Sequence, residues 1–413
     1  MAVPQVDLNG RRLSVIMALL STLCLSLLFF FLYASQTSEL RQQSASSQKA
    51  VLAEAQQVID SFLGLAERDM AYLSGSVLLR EALESGLDPS SVDMQRVLLE
   101  WQSLMSSRRD VYSQLRLMDV DGRERLRINN TSTSSLVVPP AGLQNKANRY
   151  YVTESLALAQ GAIYLSDFDL NVENGVIEFP VNPTLRVVLP LFGSDNTKLG
   201  VITLNYKGAE MIEALRSIGA VWQQELWLAN SDGYWLIGPD TELEWGFMYP
   251  TRVPQLVEGD FPELWALTQQ ALMNENVSVL ESGYQFTARR TTPATSFDKN
   301  FDQVVVRRDQ SWVLLAGQSP AQFASVIQPL LRTLIPAFVL LEILMLGLSI
   351  WGGRQINLRR AAIDETRRRE KQLEVIFEAA PDATLMSDSQ GVITRANGAV
   401  LKVLGYRPDE LIG

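Results

Sequence analysis

The 413-residue chain contains no histidine. That absence removes Ser-His-Asp and Cys-His catalysis, imidazole-bound zinc and histidine-ligated haem from what these residues can do, and it leaves no imidazole to accept a phosphoryl group. Cysteine is almost as scarce. Cys24 stands alone inside an apolar run, so no disulfide can form within the chain and stability must come from a packed core. No P-loop and no GxSxG elbow occurs. Carboxylates are plentiful, but no pair stands out by its context. The expectation is therefore no catalytic residue, no metal site and no cofactor.

Charge is missing from two stretches. Leu13 to Tyr33 carries none over 21 residues, and Thr333 to Trp351 carries only Glu342 over 19. Crossing ~30 Å of hydrocarbon as helix takes ~20 apolar residues, so both are long enough to span. Arg11 and Arg12 precede the first run, and Arg354, Arg359, Arg360, Arg367, Arg368, Arg369 and Lys371 follow the second. Cations collect on the cytoplasmic side, which places both termini inside and residues from about 34 to 331 outside a bacterial inner membrane, in the periplasm. A cleaved signal peptide is the competing reading of the first run. Such peptides have apolar cores of ~7 to 15 residues and an A-x-A-like site, which Leu32-Tyr33-Ala34 matches poorly.

Between residues 34 and 332 there are 24 Lys and Arg against 35 Asp and Glu, about −11 of the chain's net −10. An acidic outer segment neither attracts nucleic acid nor clings to anionic lipid. Its length allows two modules at ~100 to 200 residues each. From about Thr37 to Leu83 there is no proline, and Val51, Ala55, Ile59, Phe62, Ala66, Met70 and Leu73 recur at threes and fours, predicting one long helix stopped by Gly86 and Pro89. Val97, Leu98, Trp101, Leu104 and Met105 predict a shorter one. Three strand-turn-strand openings follow at wide intervals, around Asp119-Val120-Asp121-Gly122, Asn230-Ser231-Asp232-Gly233 and Asp388-Ser389-Gln390-Gly391. Each turn ends in a glycine free to take positive φ.

These residues resemble a known family. The long helix, the hairpin from Tyr112 to Ile128, the stretch Asn145-Lys146-Ala147-Asn148-Arg149-Tyr150-Tyr151, Tyr164-Leu165-Ser166-Asp167 with Leu170-Asn171, and Ile177-Glu178 with Pro180, Pro183 and Arg186 are similar to the membrane-distal half of a double Cache sensor. The second hairpin, Trp245-Gly246-Phe247 and strands near Val277 to Leu280, Tyr284 to Arg290 and Trp312 to Ala316 resemble the proximal half. Ile376 to Ala383, the third hairpin, Ala396-Asn397, Leu404-Gly405-Tyr406 and Glu410 to Gly413 are similar to the opening of a PAS domain, which reads as a fragment too small to hold together alone.

The resemblance implies an α+β, two-span membrane protein with a tandem PAS-like sensor. The expected division is 1–12 head, 13–33 span, 36–325 sensor with halves at about 85–215 and 216–325, 333–351 span, 354–372 connector helix and 373–413 PAS opening. It further implies a small-molecule ligand in the distal half, with Arg149, Tyr151, Tyr164, Asp167 and Arg186 as candidate contacts. Arg186 lies on an otherwise apolar strand, where a buried guanidinium needs either an anionic ligand or an internal salt bridge. Amino-acid-binding relatives carry Trp two residues after the arginine, where this chain has Tyr151. The output implied is a sensor histidine kinase, with a diguanylate cyclase or a chemotaxis-type receptor as alternatives. Apolar stripes on the long helix and on residues 354–377 predict a parallel homodimer. Glu342, at the middle of its span, is expected as a neutral carboxyl hydrogen-bonded within a helix bundle.

The arginine distribution makes a direct prediction. Alkaline phosphatase fused after Gly86 should be active and fused after Arg369 inactive; the reverse pattern would invert the topology.

Overall fold

The computed structural model describes residues 8–173, 175–294, 300–306 and 311–413. It divides into two units, one comprising residues 37–326 and the other comprising residues up to 36 together with 327–413.

Helix α1 (Leu8–Gly75) is followed by α2 (Val77–Glu84) and α3 (Val92–Ser107). The expected single helix to Leu83 is thus two, because the Ser76 hydroxyl accepts from the Leu79 amide and caps a new helix at that point. Next come β1 (Tyr112–Asp119), β2 (Glu124–Asn130), β3 (Ser135–Val137), α4 (Tyr150–Leu156) and β4 (Ala162–Leu165). Three short strands, β5 (Asp169–Leu170), β6 (Val172–Glu173) and β7 (Val176–Ile177), lead to the long pair β8 (Pro183–Phe192) and β9 (Lys198–Lys207). Helix α5 (Gly208–Trp222) connects to β10 (Glu225–Ala229), β11 (Trp235–Ile237), α6 (Val257–Asp260), α7 (Pro262–Gln270), β12 (Asn276–Glu281), β13 (Tyr284–Thr291), β14 (Gln303–Val306) and β15 (Trp312–Gln318). Helix α8 (Pro320–Ala379), β16 (Leu385–Ser387), β17 (Ile393–Ala396) and α9 (Val400–Leu404) complete the order.

Two sheets build the larger unit. The first runs β14-β4-β8-β9-β1-β2-β3, with β5 also on β8; the second runs β11-β10-β15-β13-β12. One strand departs from the expected division near residue 215: β14 comes from the later half of the sequence yet pairs in parallel with β4 of the first sheet. The α1 stripe explains how both sheets share a core. Val51, Leu52, Ala55, Ile59, Ala66, Met70 and Leu73 are fully buried, in one cluster with Leu115, Val187 and Leu204 of the first sheet and Leu228 and Leu314 of the second. A separate aromatic core, with Trp227, Trp235, Phe261 and Phe286, fills the far side of the second sheet.

In the smaller unit α1 and α8 meet through Phe29 and Phe338, ring centroids 5.0 Å apart. The Thr22 hydroxyl donates to Glu342 Oε2 at 3.0 Å, the interhelical partner expected for an intramembrane carboxyl. Helix α8 continues through Pro329 and Pro336 and runs on to Ala379, beyond the connector end expected at residue 372. The third hairpin forms as β16 and β17. It is organised by the buried Asn397, whose Oδ1 accepts from the Thr384 amide while Nδ2 donates to the Ala380 and Asp382 carbonyls.

Gly122 sits at φ 70° in the β1–β2 turn, and a Cβ there would fall 2.6 Å from backbone atoms of Ala147. Gly122→Ala should therefore lower stability by about 1 to 3 kcal/mol through backbone strain alone, with the contact adding to it. The denaturant midpoint of the full chain in detergent measures this; an unchanged midpoint would show that the turn relaxes freely.

Candidate ligand site

Strands β1, β8 and β9 are buried on both faces, so their alternation is not apolar against solvent but apolar against buried polar. Leu115, Leu117, Leu185, Val187, Leu189, Ile202, Leu204 and Tyr206 face the α1 core. The opposite face carries two adjacent rows across the ladder. One is Arg186, Asn205 and Gln114; the other is Val188, Thr203 and Arg116. Helix α4 packs against β4, β8 and β9.

Arg186 is 1% exposed. Its guanidinium donates to Asp169 Oδ1 at 2.7 Å and Asn171 Oδ1 at 3.3 Å, so the internal salt bridge is the state present here. Burial acts against the Arg186 charge, but the Asp169 carboxylate beside it outweighs burial and raises the pKa above the ordinary arginine range. The Tyr151 ring lies between two guanidiniums, Arg186 Cζ at 5.2 Å and Arg149 Cζ at 5.8 Å from its centroid. Tyr164, fully buried, packs in the same cluster as Tyr151 and donates to Glu154 Oε2 at 2.7 Å. Burial, then the hydrogen bond to Glu154 and that group's charge, push its phenol up. Asp167 is half-buried at the rim, and its charge also raises the Tyr150 and Tyr164 phenols. The five sequence-predicted residues therefore gather on one side of the first sheet, around the Arg186–Asp169 pair.

Sequence reasoning missed the neighbouring cluster. Arg116, 1% exposed, has Nε 3.0 Å from Glu124 and NH2 2.9 Å from Glu173. Lys146 Nζ lies 3.3 Å from the other Glu173 oxygen, and Gln114 Nε2 donates to Glu173 at 3.3 Å. Glu124 also pairs with Arg127 at 3.1 Å. Burial raises the Glu173 pKa, but Arg116 and Lys146 outweigh it and bring it below the usual carboxylate range. Burial and then Arg116 lower the Lys146 pKa. The signal was present in β1 and β9 as Gln114 and Arg116 alternating with Leu115 and Leu117, and Thr203 and Asn205 alternating with Ile202, Leu204 and Tyr206. Cavities of about 530 Å³, beside Asp69 and Glu100, and of about 540 Å³, beside Arg80 and Asp302, lie away from both clusters.

Two sheets sharing a long helix, the first with a closed polar face under α4, define a double Cache sensor. Residues 73–278 match the bacterial histidine kinase sensor domain family, and residues 371–413 match the PAS fold. The fold is shared with a domain described as that of a sensory box/GGDEF family protein from Vibrio parahaemolyticus, at 18% identity and TM-score 0.58 over 69% of this chain and 99% of that one. It is shared equally with the extracellular domain of a protein described as the histidine kinase vpHK1S-Z8, at 18% identity and TM-score 0.58, covering 70% and 96%. None of the curated proteins matches the chain in sequence. The chain is a membrane protein with an extracellular sensor of histidine kinase type and the opening of a PAS fold.

Asp169→Asn should strand the Arg186 charge and cost about 3 to 5 kcal/mol, the usual penalty for removing one partner of a buried pair. Adding Arg186→Met to it should recover most of that loss. Denaturant midpoints of the three variants in detergent check this; strictly additive losses would show that the two groups are not coupled.

Proposed function

We propose that this protein is the input half of a two-pass receptor of the bacterial inner membrane. Its first sheet, the distal half at about residues 85–215, binds a small periplasmic solute through Arg149, Tyr151, Tyr164, Asp167 and Arg186. The observation that supports this best is the convergence of those five residues on one side of the sheet, with two guanidiniums over the Tyr151 ring and the half-buried Asp167 carboxylate nearby. A face built only for stability would gain from apolar residues at these positions, because a buried ion pair returns little net free energy.

The signal travels to the PAS segment on the cytoplasmic side, and the chain works as a parallel homodimer. In the intact receptor the output is a histidine kinase. The sensor family supports that choice, and the similarity to a GGDEF-family domain keeps a diguanylate cyclase as the second reading.

A thermal-shift screen of small solutes against the full chain in nanodiscs, followed by titration of any hit, tests the site. Tyr164→Phe and Arg149→Gln leave the Arg186–Asp169 pair in place and should weaken binding. Arg186→Gln should cost about 1.5 to 3 kcal/mol, roughly 10- to 150-fold in affinity, if its guanidinium bonds the solute directly. Folded variants that bind as tightly as the parent would rule this pocket out.

A further inference from the structure

The second buried cluster has a feature that the solute site alone does not explain. Two of the three carboxylates that neutralise the face come from a single short segment, the third being Glu124 on β2. Asp169 reaches Arg186, and Glu173, four residues on, reaches Arg116 and Lys146. The cations they meet stand on the sheet or, for Lys146, on the loop beside the Gly122 turn, where the Lys146 amide donates to the Gly122 carbonyl at 2.8 Å. Glu173 belongs to the two-stranded β6–β7 ribbon, which forms a sheet of its own, and its side chain is 25% exposed while that of Arg116 is 2% exposed. Glu173 is thus carried on a ribbon outside the first sheet, whereas Asp169 lies on β5, which pairs with β8 of that sheet.

Removing Glu173 would leave Arg116, Arg127 and Lys146 facing Glu124 alone. Burial first and then Arg116 lower Lys146, while Arg116 and Lys146 together lower Glu173 against its burial. On β9, in the rows that join Arg186 to Arg116, lie Thr203 and Asn205, each 0% exposed. Thr203 Oγ1 and Asn205 Oδ1 have no hydrogen-bond partner among the described residues. Orphaned buried polar atoms are costly, and two of them side by side between two cation sites mark where a polar group belongs. Arg116 and Arg186 stand two strands apart, about 10 Å across the sheet, a gap that two long side chains and a short diacid bridge together.

We propose that the first sheet binds a short dicarboxylate carrying a hydroxyl, one carboxylate taking the place of Glu173 at Arg116 and Lys146, the other the place of Asp169 at Arg186, with the hydroxyl on Thr203 and Asn205. This rests on the sensor reading above and names its ligand class. Asp169 and Glu173 are then internal competitors, and binding frees Glu173 and the β6–β7 ribbon that carries it.

The test is isothermal titration of the full chain in nanodiscs with L-malate, 2-hydroxyglutarate and succinate. A hydroxy-diacid should bind, with succinate about tenfold weaker for want of the hydroxyl contacts. Glu173→Gln, which removes the competing charge, should tighten binding about tenfold, and Lys146→Met should weaken it about tenfold. A tightened variant cannot be a misfolded one, so the opposite signs separate ligand contact from loss of structure. Failure of all three acids to bind either the parent or Glu173→Gln overturns the proposal, as does binding that ignores both substitutions. If another solute binds in a manner dependent on Tyr164 and Arg149 while the diacids do not, the sensor reading stands and this inference alone falls.

Discussion

Burying both faces of one sheet is the constraint on which the rest of the sensor depends. A sheet covered on one side by a helix stripe and on the other in large part by α4 leaves little water to either face, so each fully buried charged group on it must find its partner inside the protein. Arg116 and Arg186 meet that demand with carboxylates that Glu124, Glu173 and Asp169 supply. Replacing the arginines with apolar residues would satisfy the same constraint with less penalty. Their retention sets this face apart from an all-apolar core.

The α1 core and the polar face have opposite mechanical characters. Val51 to Leu73 pack against both sheets in one continuous cluster, and close-packed apolar contacts resist small displacements. The salt bridges of Glu173 are made from β6, a two-residue strand outside the first sheet.

Much of this was legible in the sequence. The helix stripe, the three hairpins and the two spans are periodic patterns of apolar residues, and each appears where the pattern puts it. Arg186 announced itself as a charge in an apolar strand. Its partner did not, because Asp169 is one carboxylate among many until the chain brings it 2.7 Å from the guanidinium. Arg116, Thr203 and Asn205 were overlooked for a related reason. Alternating polar and apolar residues in β1 and β9 read as a sheet with one wet face, and only α4 and the following segment reveal that the polar side is dry. The break at Ser76 was hidden because serine is tolerable inside a helix and its capping role shows only in the backbone around it.

Strand β14 has a consequence for how the protein is made. Gln303 pairs with Ala162, so the edge of the first sheet at β4 is completed by residues about 140 positions later in the chain. During synthesis and export the first sheet therefore waits, with β4 lacking its outer neighbour, until the whole of the second sheet's early strands has emerged. Non-local pairings of this kind slow folding, and an unfilled edge invites pairing with another chain. The interval between the arrival of residue 165 and that of residue 303 is the window in which this sensor is most exposed to aggregation and most dependent on whatever shields nascent chains outside the membrane.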